Sequence, residues 1–200
     1  MEYKQYSAGL MSQSFWFLEF KMAMRLKQEG IEDNDIKRKC VDENLFGAAK
    51  EYRALRMAGY IMTRIKTVDS ALTELFFTSD LATQKLINLI AILRTDRLFF
   101  EFVYEVYREK VILGAENMED ADVNVFFSRK EIQSELVAGW KESTKRRLRS
   151  GYLNFMTDAN LLTVVEKRKV ITPPILDIAL ERYLLSVGEE SMVKAMTGRH

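Results

Sequence analysis

Long cations, hydroxyls and an amide share one half of a helix that the sequence predicts to end near Asn160. At about 100° per residue, Leu148, Tyr152 and Phe155 fall on the other half, which would pack against the rest of its domain. The polar half carries Ser143, Arg146, Arg147, Ser150, Asn154 and Thr157, with Lys145 and Arg149 at its border. Cations bind phosphates, and amides and hydroxyls bind base edges in the major groove. The pattern therefore predicts a helix that contacts duplex DNA.

Charge is concentrated around this helix although the whole chain is nearly neutral. Residues 141–169 hold eight Lys and Arg against three Asp and Glu, whereas the net charge of the chain is +1. Residues 115–135 hold two basic side chains against six acidic ones. Segregation of this kind allows one side of a domain to be basic. The alternative is an ordinary solvated basic face, which the nearly neutral pI of 7.7 favours.

The elements predicted around this helix follow the order of a winged helix-turn-helix. Ser128 and Glu131 form a capping box, which predicts the start of a short helix before a turn at Gly139. After the long helix, two β-branched runs, residues 161–165 and 170–172, flank a charged tip and predict a β-hairpin. Helix, turn, helix and hairpin in this order indicate a winged helix. The tip residues Lys167, Arg168 and Lys169 would reach the flanking DNA backbone as a wing.

A second basic stripe lies on a helix predicted from about Ala48 to Lys66. Its members recur at helical spacing and are Arg53, Arg56, Tyr60 and Arg64. Arginines interleaved with a tyrosine suit a phosphate backbone, and they suit the acidic groove of a partner protein equally well. An ordinary solvated face is slightly favoured over both.

Residue types that support catalysis are scarce. The single His is the terminal His200 and the single cysteine is Cys40, so the usual base and metal ligand are missing. The sequence has no GxxxxGK[ST] and no GxGxxG phosphate loop. Glu101, Glu105 and Glu109 stand four apart, but without a partner helix that carries an ExxH motif they predict an ion-paired or solvated face. We therefore predict no enzymatic activity, cofactor, metal or small-molecule substrate.

Composition predicts a globular, mainly α protein in the cytoplasm. The chain is 48% hydrophobic with 9 Gly and 2 Pro, and its apolar residues recur every three or four positions. Its longest apolar run, residues 89–93, is far shorter than the roughly 20 residues that span a membrane. No signal-peptide pattern begins the chain. The acidic segment 115–122 predicts a boundary between an N-terminal helical bundle, residues 1–114, and a C-terminal winged-helix-like domain, residues 115–200.

Five separated strings occur in order along the chain. They are Tyr6-Ser7-Ala8-Gly9-Leu10, Lys85-Leu86-Ile87-Asn88-Leu89, Thr95-Asp96-Arg97-Leu98-Phe99-Phe100-Glu101-Phe102, Gln133-Ser134 leading to Trp140, and Ile171-Thr172-Pro173-Pro174-Ile175. Together they resemble the BrxA family of BREX phage-defence systems. The resemblance implies a small, mostly helical cytoplasmic protein with DNA-binding character that acts beside other BREX proteins, without catalysis. Together with the predicted basic helix, it makes double-stranded DNA the expected partner. The alternative is a helical adaptor within the BREX complex that binds no DNA.

Overall fold

Helices form most of the computed structural model, which describes residues 5–199. Contacts divide the chain into two units: Phe15–Thr95, and a second unit that joins the segment up to Ser14 to the chain from Asp96 onward. We call them the bundle unit and the winged unit. This division differs from the predicted boundary after residue 114. Residues 96–114 pack within the winged unit because their aromatic side chains meet aromatic rings of later helices.

The bundle unit contains five helices in its described residues. They are α1 (Phe17–Gln28), α2 (Asp33–Asp42), α3 (Glu51–Ile65), α4 (Ser70–Thr78) and α5 (Leu81–Thr95). Aspartates cap two of these helices: the Asp69 carboxylate accepts from Leu72 N at 2.8 Å and the Asp80 carboxylate accepts from Thr83 N at 2.8 Å. Ten of the 15 residues of α5 are buried, so this helix supplies much of the bundle core.

The winged unit begins with a 3-10 helix (Gly9–Ser12) and continues after the bundle unit. Its elements are α6 (Arg97–Phe102), a π-helical segment (Val103–Tyr107), α7 (Arg108–Ile112), β1 (Asn117–Met118), α8 (Asp120–Gln133), α9 (Glu135–Ala138), α10 (Glu142–Asp158), β2 (Leu162–Val165), β3 (Arg168–Ile171), α11 (Ile178–Ser186) and α12 (Glu190–Thr197). The Asp96 carboxylate caps α6 by accepting from Phe99 N at 2.9 Å.

Three short strands form an antiparallel sheet in the order β1-β3-β2. The predicted hairpin is confirmed, with Thr163 opposite Val170 in β2 and β3. Glu166 and Lys167 have positive φ values of 48° and 68°, which is typical of the two-residue turn of a tight hairpin. The sheet order and the helices around it confirm a mainly α fold with a winged-helix-like unit. Strand β1 was not predicted, because two residues give no alternating pattern.

The start of α8 corrects the predicted capping box of Ser128 and Glu131. The helix begins at Asp120, and Glu119 and Asp122 form its capping box, with Glu119 N donating to Asp122 Oδ2 at 2.7 Å. Ser128 lies inside the helix and is exposed. Acidic residues stabilise the first turn of a helix through its dipole. Asp120 and Asp122 lie in the first turn of α8, which begins eight residues upstream of Ser128.

Aromatic rings form the core beneath α10. The Tyr152 ring lies 4.6 Å from that of Phe99, 5.5 Å from that of Phe102 and 5.8 Å from that of Phe127, measured between ring centres. Rings at these distances add packing energy to their burial. The aromatic stretch after Asp96 therefore belongs to the core, and this core fixes which side of α10 faces outward.

No helix within residues 5–199 is long and apolar enough to cross a membrane.

Candidate nucleic-acid interface

The outer half of α10 is exposed as the helical periodicity predicts. Leu148, Tyr152 and Phe155 are buried against the aromatic core. The exposed side chains of the polar half are Ser143, Arg146, Arg147, Ser150 and Asn154. Two guanidinium groups, two hydroxyls and one amide therefore lie on a single solvent-facing stripe of a 17-residue helix. Such a stripe can present charge to phosphates and hydrogen-bonding groups to base edges.

The two cations at the border of this stripe are held within the unit. Lys145 is only 8% exposed, and its Nζ donates to Glu131 Oε1 of α8 at 2.8 Å. Lys145 is therefore not on the exposed face where the periodicity places it, because it is buried and its charge is paired with Glu131 of α8. Arg149 is partly exposed, donates from Nη1 to Glu142 Oε1 at 2.7 Å and lies 5.4 Å from the centre of the Phe127 ring.

The pairing between Arg149 and Glu142 affects the charge of the face. The hydrogen bond from Arg149, with Coulomb attraction as a second cause, holds the pKa of Glu142 below its ordinary value. Glu142 therefore stays ionised at neutral pH and offsets the charge of Arg149. The net positive charge of the stripe consequently rests on Arg146 and Arg147.

The hairpin presents three cations that differ in their exposure and in their ion pairs. Lys167 is exposed at the tip, and Arg168 lies 3.5 Å from Glu166 in a pair in which both side chains are mostly exposed. Lys169 is 29% exposed and its Nζ lies 3.4 Å from Asp120 Oδ1. Exposed pairs of this kind are worth little, so these cations remain available to a stronger anion.

A cleft of about 370 Å³ lies between α8, α10 and β3. Its lining combines three cations, one carboxylate, two amides, one hydroxyl and two apolar side chains: Arg146, Arg149, Lys169, Asp120, Asn124, Asn154, Ser150, Val123 and Leu153. Five of the predicted contact residues meet here. Asp120 and Asn124 were missed, and their spacing of four on α8 is the only sign in the sequence that they share a face.

The second predicted basic stripe is only half exposed. Arg53 and Arg56 are exposed, and the half-buried Tyr60 stacks on Trp16 with 6.1 Å between ring centres. Arg64 is 1% exposed, and its Nη1 donates to a backbone carbonyl at 2.6 Å. Burial lowers the pKa of Arg64 to about 9. The prediction that Arg64 belongs to a surface face is therefore wrong, because the bundle interior uses its charge.

The carboxylates spaced four apart on α6 and the π-helical segment are ion-paired, as predicted. The buried Lys130 donates from Nζ to Glu101 Oε2 at 2.6 Å and to Glu105 Oε1 at 2.7 Å, and Tyr6 donates its hydroxyl to Glu101 at 2.8 Å. Glu109 is exposed. Within residues 5–199, no group of three or more His, Cys, Asp or Glu is placed to hold a metal ion. His200 lies outside the described residues.

The sheet order and the exposed basic helix define a mainly α protein with a winged-helix-like unit. The profile of the BrxA family matches residues 4–188 of this chain. A curated protein of Bacillus cereus (strain H3081.97), described as BREX protein BrxA, is 32% identical over 193 residues, which cover 96% of each chain. The chain therefore belongs to the BrxA family, as the five strings predict, and is a BREX protein.

A solved structure has the same fold. The crystal structure of an uncharacterized protein from Magnetospirillum magneticum superposes with a TM-score of 0.82 and covers 98% of this chain and 100% of its own. The two sequences are 16% identical. The likeness concerns the fold alone.

Proposed function

We propose that this chain is a non-enzymatic, duplex-DNA-binding component of a BREX phage-defence system, and that α10 and the hairpin make the contacts. One observation carries the proposal: Arg146, Arg147, Ser150 and Asn154 share an exposed stripe on a helix whose other side is fixed by an aromatic core. A rigid helix of this length can enter a major groove. A DNA ligand in turn makes the cytoplasm the expected location.

Phosphate contacts supply most of the binding energy in this proposal. Four cations of α10, its N-cap and the wing form no ion pair within the described residues: Arg146 and Arg147 on the helix, Lys141 at the N-cap and Lys167 on the wing. About four phosphate contacts give a salt slope near −3.6, or roughly a hundredfold loss of affinity between 50 and 200 mM salt. A protein that recognised only neutral groups would show a nearly flat response.

The test is a fluorescence anisotropy titration of an unrelated duplex at several salt concentrations. The double substitution Arg146→Ala with Arg147→Ala should weaken binding about tenfold or more and reduce the magnitude of the salt slope by about two. The control removes the same charge elsewhere on the winged unit, with Arg129→Ala and Arg182→Ala, which are both exposed. Equal losses in the two double variants would contradict a contact through α10.

The bundle unit offers a second basic patch in Arg53 and Arg56. If duplex binding survives the loss of Arg146 and Arg147 with its salt slope unchanged, the contact lies elsewhere. Arg53→Ala with Arg56→Ala should then abolish the salt-dependent part of binding.

A protein-binding adaptor is the second candidate function. A groove of about 300 Å³ between α7 and α8 favours it, because Leu113 is 77% exposed and Val125 is 51% exposed at its walls. An adaptor should bind no duplex at physiological salt and should co-purify with another BREX protein. Val125→Asp should abolish that co-purification. Ile132→Asp is a matched control, since Ile132 is 89% exposed on the same helix but does not line the groove.

A further inference from the structure

The cleft between α8, α10 and β3 brings hydrogen-bond donors together from three elements. Arg146 comes from α10, Lys169 from β3, and the amides of Asn124 and Asn154 come from α8 and α10. A guanidinium presents five donors and an ammonium three, and each amide adds two more. Convergent donors of this kind match the oxygen atoms of a phosphate group.

Two further features favour an anion in this cleft. The apolar side chains of Val123 and Leu153 line part of its wall, which limits the water that competes with the cations. Nε of Arg149 is buried without a hydrogen-bond partner in the described chain. A buried donor without an acceptor costs free energy, and a phosphate that drew the Arg149 side chain into the cleft would supply that acceptor.

Asp120 is the one acidic residue of the cleft. Its side chain is 81% exposed and its Oδ1 lies 3.4 Å from Lys169 Nζ. A carboxylate and a phosphate present similar anionic oxygens to a cation. An incoming phosphate must therefore displace Asp120 from Lys169 and remain near its negative charge.

We propose that this cleft is a subsite for one phosphate group, that Arg146 and Lys169 bind the anion, and that Asp120 competes with it for Lys169. The inference rests on the proposed function in taking the phosphate from a duplex backbone. Inorganic phosphate and a free nucleotide carry the same chemistry, so the experiment treats the sources separately. Asp120 thereby makes duplex binding weaker than the basic stripe alone would make it.

The first arm titrates the isotope-labelled full-length protein with inorganic phosphate, and separately with a mononucleotide, at constant ionic strength and follows the side-chain amide signals by NMR. Phosphate should shift the signals of Asn124 and Asn154 saturably, with a dissociation constant on the order of 1 mM. Sodium chloride should not. Lys169→Gln should remove the saturation. Equal shifts with chloride, or shifts unaffected by Lys169→Gln, would refute the subsite.

The second arm compares two charge-removing variants. Asp120→Asn should bind inorganic phosphate and the duplex about three times more tightly, the equivalent of losing one exposed ion pair. Glu116→Gln removes the same charge from an exposed residue of the same acidic segment that does not line the cleft, so its effect should be smaller. Thermal melting of each variant checks that the fold is intact.

The two arms separate this inference from the proposed function. If the duplex binds but Asp120→Asn and Glu116→Gln have equal effects, the subsite is wrong while DNA binding stands. If phosphate or the mononucleotide saturates the cleft and no duplex binds, the subsite stands with a free phosphorylated compound as its ligand, and the proposed function falls. If neither phosphate nor the duplex binds, both are wrong.

Discussion

The two units carry a similar pattern of arginines on a helix, but the bundle unit buries one member of its pattern. Arg146 and Arg147 of α10 are exposed, whereas Arg64 of α3 is 1% exposed. Sequence spacing assigns all three to outward faces. In the bundle unit, a buried backbone carbonyl at Phe15 accepts from Arg64 at 2.6 Å. A stripe of arginines therefore predicts a solvated face only where no buried acceptor needs one of them.

The local backbone explains why that carbonyl needs a donor. Trp16 adopts the left-handed conformation, with φ 48° and ψ 51°, just before α1 begins. The Phe15 carbonyl accepts from the side chains of Arg64 and Asn88, which replace backbone partners. The Arg64 guanidinium also lies 5.7 Å from the centre of the Trp16 ring. One unusual turn thus accounts for the burial of a charge.

The largest expected effect is the loss of Arg64. Arg64→Ala should lower the free energy of unfolding of the bundle unit by about 4 kcal/mol, because it opens a cavity and leaves a buried carbonyl short of a donor. Urea unfolding followed by Trp16 fluorescence in a Trp140→Phe background measures this. Arg53→Ala is the control and should change the same quantity by less than about 0.5 kcal/mol. A loss of under about 1 kcal/mol for Arg64→Ala would refute its structural role.

The winged unit has its own buried cation, Lys130, whose partners are carboxylates. Burial alone would lower the pKa of Lys130, but its hydrogen bonds to Glu101 and Glu105 raise it above the ordinary value. Lys130→Met should destabilise the winged unit by about 3 kcal/mol, because Glu105 loses its cation and Glu101 keeps only Arg97. Urea unfolding followed by Trp140 fluorescence is the measurement. Lys130→Met combined with Glu101→Gln and Glu105→Gln should recover part of the loss, and no recovery would contradict the pairing.

The aspartate caps repeat the contrast between the units. Asp80 is exposed, and its hydrogen bonds to Thr83 hold its pKa below the ordinary value. Asp96 is 5% exposed, and burial raises its pKa from 3.8 to about 6 despite the backbone hydrogen bonds to it. Two residues with the same capping role therefore titrate in opposite directions.

The direction of each shift sets a pH dependence. The folded pKa of Asp96 exceeds the unfolded value of 3.8. Its contribution to the free energy of unfolding is therefore fully present below pH 3.8 and is lost as the pH rises through about 6. Asp96→Asn keeps the cap without titrating. From pH 4 to pH 7, the free energy of unfolding of Asp96→Asn should rise by about 2 kcal/mol relative to that of the natural protein, measured by urea unfolding. Asp80→Asn should change little over this interval, because a carboxylate with a lowered pKa contributes fully above pH 3.8 and loses that contribution only below it. A gain in Asp80→Asn as large as that in Asp96→Asn would contradict the contrast.

Helical periodicity predicts the helices and their buried faces well, but it predicts the long-range contacts of individual side chains poorly. Leu148, Tyr152 and Phe155 lie on the buried half of α10, because the distinction between the two halves depends only on local spacing. The burial of Arg64 depends on a carbonyl 49 residues away, which no local pattern carries. Asp120 joins the cleft only because β3 returns to the N-terminal end of α8. The five BrxA strings predict the family without predicting any contact residue.

Within α10, Lys145 and Arg146 offer the smallest and most specific test of the contrast between buried and exposed cations. The two residues are neighbours in sequence, yet Lys145 is bound to Glu131 of α8 and Arg146 is exposed. Lys145→Met should lower the free energy of unfolding by about 1 kcal/mol and leave duplex affinity within about twofold, because its charge is already paired. Arg146→Ala should change stability by less than about 0.5 kcal/mol and weaken duplex binding about fivefold. Anisotropy titrations and urea unfolding of both variants measure the four quantities. Equal losses of affinity would mean that Lys145 leaves Glu131 to meet the DNA, so that the ion pair seen here would be one of two states of the helix face.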